Sequence, residues 1–204
     1  MRSIFLGIAG GTGSGKTFIV DNLLSIYNSN NINVINLDSY YKDLSHMGHQ
    51  DRVKQNFDHP DSIDIDLIIS HLKQISDGDD VDIPIYDFSN HIRLETTKTI
   101  SQSNVIIVEG IFALHYMQLR KLYTLNVFIE TSEDIRFQRR LSRDTKERGR
   151  TIGSIKDQFE STVLPMHKKF IGPSKQFADL IIDGNSNIIN IIRSIKEKID
   201  TYMI

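Results

Sequence analysis

A run of glycine, hydroxyl and lysine residues near the start of this 204-residue chain matches the pattern G-x4-G-K-[ST] at every defined position. The run is Gly10-Gly11-Thr12-Gly13-Ser14-Gly15-Lys16-Thr17. Its glycines let successive backbone N–H groups turn toward one phosphate, and a helix that begins here adds the positive end of its dipole. In such a loop Lys16 reaches the β- and γ-phosphates and the hydroxyl of Thr17 binds Mg²⁺. The run therefore predicts nucleotide binding, and the simpler alternative is a glycine-rich turn that binds nothing.

Two acidic residues follow apolar segments that have the character of buried strands. Glu109 follows Val105–Val108, where an acid can hold the water shell of a metal ion, although it could also cap a helix. Asp38 follows Asn33–Leu37, at the sheet edge where the phosphate loop should also lie. A carboxylate there could accept the proton of a hydroxyl that attacks the γ-phosphate, which is worth about 10²–10⁴-fold in rate. The alternative for Asp38 is an acid that shapes a turn or joins the metal's water shell.

An arginine-rich segment, Ile135–Arg150, is the candidate for a lid. Its basic residues are Arg136, Arg139, Arg140, Arg143, Lys146, Arg148 and Arg150. Those at positions 136, 140 and 143 share one face of a helix. A solvated basic face is the usual explanation for such a run. A lid that brings arginines to the transferring phosphate is favoured here because Gly149 and Gly153 could act as its hinges.

Two further segments offer groups for a second ligand. In residues 84–91, Tyr86 and Phe88 are two positions apart, so we expect both rings on the same face of a strand. A planar base could stack there for roughly 1–3 kcal/mol, and His91 could hydrogen-bond its edge. In residues 56–61, Asp58 could accept hydrogen bonds from a diol such as the ribose 2′,3′ pair. The alternative is a hairpin whose aromatic rings pack on the body of the protein.

The elements that position these residues alternate between strands and helices. Apolar runs predict strands at 4–9, 33–37, 105–108, 125–129 and 180–182, and helical spacing predicts helices at 17–28, 64–76, 133–147, 153–170 and 187–202. Period-two alternation over 81–100 predicts a β-hairpin inserted between the second and third strands. We therefore expect an α/β fold: a P-loop NTPase-type three-layer sandwich with a five-stranded parallel sheet. We expect residues 1–204 to form a single domain, with the hairpin over the acceptor site and the lid at about 133–170.

Composition narrows the classes of protein. The formal charge is -2, and one aromatic residue, Phe137, lies among the arginines, so we expect no nucleic-acid partner. The chain has no cysteine, which excludes disulfides and thiolate metal sites. The apolar run at residues 4–9 is too short for a secretion signal, and no run approaches the roughly 18 residues of a membrane span. We expect a cytoplasmic protein without a membrane partner.

A phosphate loop alone does not distinguish enzyme classes. The Asn-Lys-x-Asp and Asp-x-x-Gly motifs of GTPase switches are absent from the sequence. A base candidate and a lid candidate together indicate a small-molecule kinase. Two alternatives stay open: a kinase for a phosphorylated sugar or a nucleoside monophosphate, and a nucleotide-binding regulator without activity. An acceptor phosphate would require cations in the acceptor segments, which instead offer Asp58, Tyr86 and His91.

The sequence resembles the uridine kinase (uridine–cytidine kinase) family of P-loop kinases along almost its entire length. The resemblance rests on residues 7–16, 38–42, 56–60, 83–87, 108–111, 139–140, 143–144, 147–150, 165–166, 173–175 and 178–179. The Asp-His-Pro segment at 58–60 and the Pro-x-Tyr-Asp segment at 84–87 are more specific to this family than the phosphate loop. The chain departs from the family pattern at Leu164, Gly172 and Asp183-Gly184-Asn185. The family's contacts to the donor base and its triphosphate feedback therefore do not carry over directly to this chain, whereas the catalytic set does.

The resemblance implies transfer of the γ-phosphate of ATP or GTP, with Mg²⁺, to the 5′-hydroxyl of uridine and cytidine, as in pyrimidine salvage. Asp38 looks like the catalytic base, and it forms the expected catalytic set with Lys16 and Arg143. Expected substrate contacts come from Asp58, Tyr86, Phe88, His91, Arg140, Arg150 and Gln158, and expected metal contacts come from Thr17 and Glu109. Similar proteins are commonly homotetramers inhibited by pyrimidine triphosphates, so we expect a homo-oligomer here.

Overall fold

A computed structural model gives the structure of the chain over residues 3–27 and 31–203. The elements are β1 (Ile4–Gly10), α1 (Lys16–Ile26), β2 (Ile32–Asn36), α2 (His49–Arg52), α3 (Ile65–Asp77), β3 (Val81–Asp87), β4 (Ile92–Ile100), β5 (Val105–Glu109), α4 (Met117–Arg120), β6 (Leu125–Glu130), α5 (Glu133–Arg148), α6 (Ile152–Gln158), α7 (Leu164–Met166), β7 (Leu180–Asp183) and α8 (Ile188–Asp200). Short 3₁₀ turns cover Leu37–Tyr40, Pro60–Ser62 and Gly172–Phe177, and π-helical turns cover Phe159–Val163 and His167–Ile171. The predicted end of the first helix, Asn28, lies outside the described residues.

The central sheet has five parallel strands in the order β2-β5-β1-β6-β7. Successive residues of β1 alternate between two buried cores. Ile4, Leu6 and Ile8 belong to the core that includes residues of α1 and α8. Phe5 and Ala9 belong to the other core, with residues of α3 and of the hairpin β3–β4. Since both faces of the sheet are covered, the three-layer α/β fold predicted from the sequence is confirmed.

Most predicted elements are present with ends shifted by one or two residues, and the segment at 153–170 differs most. There the helical chain is divided into α6, a π-helical turn, α7 and a second π-helical turn. Pro165 lies at the start of α7, where its ring nitrogen cannot donate the usual bond to the carbonyl four residues back, so the preceding turn widens. Among the helices of residues 3–27 and 31–203, none combines the length and apolar character needed to cross a membrane.

The second strand ends earlier than predicted, which changes how Asp38 is held. β2 stops at Asn36, and Asp38 lies in the 3₁₀ turn that follows. The side-chain oxygen of Asn36 accepts a hydrogen bond from the backbone N–H of Asp38 at 2.9 Å. This cap holds the turn at the carboxyl end of β2, so Asp38 keeps its predicted place at the sheet edge.

The predicted hairpin is present over residues 81–100, and its strands β3 and β4 form a separate two-stranded antiparallel sheet. Side chains fix it to the body of the protein. The guanidinium of Arg93 donates hydrogen bonds to the carbonyl of Tyr41 at 2.9 Å and to the carboxylate of Asp64 at 3.0 Å. Asp64 also accepts from the backbone N–H of Leu67 and thereby caps α3. One ion pair therefore links the hairpin to the start of a helix that packs on the sheet.

Close packing of β1 generates a stability prediction. A Cβ placed on Gly7 would lie 2.4 Å from ring atoms of the buried Tyr123. We expect Gly7→Ala to lower the free energy of unfolding by about 1–3 kcal/mol, because the ring cannot move without shifting its neighbours. Gly153→Ala is the control, since its Cβ would meet nothing within 4 Å and should raise stability by about 0.4–1 kcal/mol. Urea unfolding measures both, and equal stabilities for the two variants would contradict the packing argument.

Candidate active site

The phosphate loop connects β1 to α1 and leaves the first turn of that helix open. Its cap residue, Gly15, has φ of 100°, and no side chain in the described part of the protein caps this end, so the first N–H groups of α1 are available to an anion. Gly13 has φ of 74°, and a Cβ there would lie 2.3 Å from the carbonyl oxygen of Arg136. Lys16 is buried, and its ammonium donates a hydrogen bond to the carbonyl of Gly10 at 2.9 Å. Both glycines are thus required by the backbone of the loop.

A cavity of about 730 Å³ lies above the loop, a size typical of small-molecule sites. The predicted site residues that line it are Thr12, Gly13, Gly15, Lys16, Thr17, Asp38, Phe88, Glu109 and Arg143. They come from five separate segments of the chain. The structure therefore brings the predicted catalytic set, the metal residues and most of the phosphate loop to one place.

Three charged side chains in this cavity influence one another. Burial lowers the pKa of Lys16, and the carboxylates of Glu109 and Asp38 oppose that shift. Burial raises the pKa of Asp38 to about 6, with Glu109 adding to the rise and Lys16 opposing it. At neutral pH Asp38 is therefore ionised in most molecules, yet it is basic enough to take up a proton. A pKa just below the working pH is what a general base requires.

Thr17 and Glu109 lie side by side at the edge of the cavity. The hydroxyl of Thr17 donates a hydrogen bond to the carboxylate of Glu109 at 3.3 Å. Glu109 is the last residue of β5 and is buried. Hydroxyl and carboxylate oxygens are the ligands that Mg²⁺ prefers, directly or through its water shell. The two residues predicted to contact the metal are thus adjacent and chemically suited to it.

An aromatic cluster lies next to Asp38, with the ring of Tyr41 at its centre. The rings of Phe57 and Tyr86 contact it edge to face, with centroids 5.1 Å and 5.4 Å away. Burial raises the pKa of Tyr41, and the nearby charges of Asp38 and Asp58 raise it further. Tyr41 therefore lies among the candidate base, the candidate ribose ligand and the hairpin.

The hairpin places its aromatic residues differently from the prediction. Tyr86 is buried within the core, whereas Phe88 lies beyond the end of β3 and is 52% exposed at the cavity. The two rings contact edge to face at 5.3 Å instead of standing side by side on one face. The cause is the carboxylate of Asp87, which accepts hydrogen bonds from the backbone N–H groups of Ser89 and Asn90 and so turns the chain at Phe88.

His91 closes the same turn in an unusual backbone conformation. Its φ of 54° is the one positive value at a non-glycine residue in the described ranges. Its ring stacks on Phe57, with centroids 4.6 Å apart and planes at 14°. Backbone strain of this kind is often retained at functional sites, where it orients a side chain. Phe57 is therefore in contact with one of the predicted pocket residues, which the pattern of residues had not indicated.

The basic residues of α5 do not form one solvated face, since two of its arginines are buried while Arg139, Lys146 and Arg148 are exposed. Arg136 and Arg140 are 2% and 7% exposed, so that alternative is wrong for both. Arg140 donates hydrogen bonds to the hydroxyl of Thr12 at 3.2 Å and to the side-chain oxygen of Gln158 at 2.8 Å. Arg150 donates to the same oxygen of Gln158 at 2.6 Å. Three predicted substrate residues therefore form one connected group beside the phosphate loop.

Asp58 belongs to the wall between this group and the aromatic cluster. Its carboxylate accepts a hydrogen bond from the hydroxyl of Thr162 at 3.3 Å. Burial raises the pKa of Asp58, and the positive charge of Arg140 opposes the rise. The carboxylate is therefore close to both Arg140 and Tyr41, and a ligand diol is a suitable partner for it.

One of the departures from the family pattern, the turn at residues 183–185, borders the same cavity. Gly184 and Asn185 line it, and Arg139 joins them to the phosphate loop. The guanidinium of Arg139 donates to the carbonyls of Ser14 and Gly184, each at 3.2 Å. A Cβ on Gly184 would lie 2.6 Å from the carbonyl oxygen of Ser14, so this turn packs directly against the loop.

Comparison with known proteins places the chain in a family. The model of the Phosphoribulokinase / Uridine kinase family matches residues 5–188. The chain belongs to this family. It is therefore a kinase, and a kinase requires a nucleotide phosphate donor.

Relatives in the same family are closely similar over most of their length. A uridine kinase from Clostridium novyi is 44% identical, over 94% of this chain and 92% of the relative. A uridine kinase from Streptococcus pyogenes serotype M5 is 46% identical, over 93% and 92%. Among solved structures, D-glycerate 3-kinase from Cryptococcus neoformans var. grubii has the same fold with a TM-score of 0.62, at 18% identity over 85% of this chain and 80% of that one.

The raised pKa of Asp38 predicts a pH dependence. Asp38 acts as a base only when ionised, so kcat/KM for the acceptor should fall below about pH 6, by about tenfold per unit of pH. We expect Asp38→Asn to bind nucleotide normally, to lose about two orders of magnitude or more in turnover, and to lose this inflection. Asp21→Asn, on the exposed face of α1, is the charge-matched control. Turnover close to that of the unsubstituted enzyme in Asp38→Asn would remove this residue from the base role.

Proposed function

We propose that this kinase transfers the γ-phosphate of ATP or GTP to the 5′-hydroxyl of uridine and cytidine, giving UMP and CMP in pyrimidine salvage. The observation that carries the proposal is the position of Asp38, which faces Lys16 in the cavity above the phosphate loop. The relatives named uridine kinase, at 44% and 46% identity, support uridine as the acceptor.

In the proposed reaction the carboxylate of Asp38 accepts the proton of the 5′-hydroxyl as its oxygen bonds to the γ-phosphorus. The bond from that phosphorus to the bridging oxygen breaks, and the nucleoside diphosphate leaves. Lys16 and Arg143 stabilise the charge on the transferring group, and the N–H groups of the loop hold the adjoining phosphate. Thr17 and Glu109 would hold Mg²⁺, which supplies further charge neutralisation when bound.

The nucleoside would occupy the space between the aromatic cluster and Asp58. Asp58 is suited to the ribose diol because its carboxylate has one protein hydroxyl as a hydrogen-bond partner, Thr162. The face of Phe57 that His91 covers is flat and apolar, and a pyrimidine could take that position while the imidazole moves to its edge. Arg150 and Gln158 would complete the wall on the side of the lid.

Three further properties of the protein are predictions from the sequence. They are a homotetramer, a cytoplasmic location and a lid over about 133–170 that closes on the bound substrates. Inhibition by pyrimidine triphosphates is a fourth such prediction, and the departure from the family pattern at residues 183–185 bears on it because Gly184 and Asn185 line the cavity.

The direct test is coupled release of ADP with uridine, cytidine, UMP, ribulose 5-phosphate or no acceptor. We expect release with uridine and cytidine and little with the other three. An acid at Asp58 and the aromatic rings of Tyr86 and Phe88 favour a nucleoside over an acceptor phosphate. The cations on the lid side of this region, Arg140 and Arg150, already donate hydrogen bonds to Gln158. Activity confined to UMP or ribulose 5-phosphate would overturn the proposal, and so would the absence of activity with every acceptor.

His91 provides a test of the pyrimidine pocket. We expect His91→Asn to raise KM for uridine and cytidine by about tenfold, because loss of one stacking or edge contact costs about 1–3 kcal/mol. Asparagine tolerates the positive φ of this position, so the hairpin should stay folded. KM for ATP should change less than about twofold. His46→Asn, on an exposed loop, is the matched control. Unchanged acceptor KM values in His91→Asn would contradict the pocket.

A further inference from the structure

One carboxylate on α5 forms ion pairs with four arginines of the candidate lid. Asp144 is fully buried, at 0% exposure, although it lies on a helix that is otherwise rich in charged residues. Arg143 is bound most closely, with Nη2 2.8 Å and Nε 2.9 Å from one carboxylate oxygen. Arg140 lies 3.4 Å from the other oxygen, Arg150 3.6 Å from that same oxygen, and Arg148 3.7 Å from the first. Four guanidinium groups thus share one buried anion.

The backbone of Asp144 organises the same region. Its carbonyl oxygen accepts hydrogen bonds from the backbone N–H groups of Gly149 and Arg150, the latter at 3.1 Å. Gly149 has φ of 62° and ends the helix. The residue therefore holds the end of α5 through its main chain and the arginines through its side chain.

Each of these arginines lines the cavity or contacts a residue of the candidate active site. Arg143 and Arg148 line the cavity with Lys16 and Asp38. Arg140 contacts Thr12 of the phosphate loop and Gln158 of the acceptor wall, and Arg150 contacts the same glutamine. Without an anion among them these cations would repel one another and spread into solvent, because like charges at such distances interact strongly in a partly buried site.

We propose that Asp144 is a positioning residue for phosphoryl transfer, one that acts through Arg143 and Arg140 and does not touch substrate. Its carboxylate sets where the Arg143 guanidinium stands relative to Lys16 and Asp38. It also holds Arg140 between the phosphate loop and Gln158, so one carboxylate positions residues on both the donor side and the acceptor side of the site. This inference rests on the proposed kinase reaction and adds a residue to its machinery.

The experiment compares Asp144→Asn and Asp144→Glu with the unsubstituted enzyme. The unsubstituted enzyme must first show uridine-dependent release of ADP, and its failure to do so would contradict the proposed function, not the role of Asp144. Glu147→Gln is the matched control, because Glu147 is an exposed acid on the same helix. For each protein kcat, KM for uridine, the Kd for ADP and the melting temperature are measured.

We expect kcat of Asp144→Asn to fall by about 10–100-fold, as for other residues that orient a reacting group through a neighbour. The Kd for ADP should stay within about twofold, since the β-phosphate is held by the loop, and Glu147→Gln should match the unsubstituted enzyme. Asp144→Glu keeps the charge but displaces it by one methylene, so we expect a folded enzyme with kcat lowered at least about fivefold.

Two results would overturn the inference. One is a folded Asp144→Asn or Asp144→Glu whose kcat lies within about threefold of the unsubstituted value. The other is a loss of activity that follows loss of folding or of ADP binding in both variants, which would make Asp144 a residue for stability alone.

Discussion

Positive charge concentrated around one cavity is the constraint on which the rest of this structure depends. The site needs cations to hold phosphates, yet those cations must stay together before any phosphate arrives. Three carboxylates make this possible. Asp38 and Glu109 face Lys16 within the cavity, and Asp144 binds the arginines behind it. The first two also have roles of their own in the proposed reaction, so charge balance and chemistry are served by the same side chains.

The parallel sheet brings these groups together because it aligns the carboxyl ends of its strands. β2, β5 and β1 are neighbours in that order. Asp38 follows β2, Glu109 is the last residue of β5, and the phosphate loop follows β1. Three segments distant in sequence therefore end at one edge without long connecting loops. β1 and β5 are buried along their whole length, and β2 is buried at Ile32 and Ile35. The arginine-rich helix α5 and the hairpin β3–β4 place further side chains beside that edge.

The fold and the position of the candidate donor residues could be predicted from the sequence, because both depend on local patterns: apolar runs, helical spacing and the phosphate-loop motif. The acceptor half could be predicted less well. Whether Tyr86 or Phe88 faces the cavity depends on a turn made by Asp87, and the stacking of His91 on Phe57 joins segments far apart in the chain. Asp144 has the i, i+4 spacing to Arg140 and Arg148 that could have indicated its pairing, but spacing does not reveal burial.

The separate hairpin sheet has an evolutionary consequence. The hairpin packs on the rest of the protein through Arg93 and buried side chains, whereas the phosphate loop follows a strand of the five-stranded sheet. Mutations that reshape one unit need not disturb the hydrogen-bond ladder of the other. Selection could therefore remodel the hairpin, which carries the candidate acceptor residues, while the phosphate loop on the other sheet is inherited unchanged.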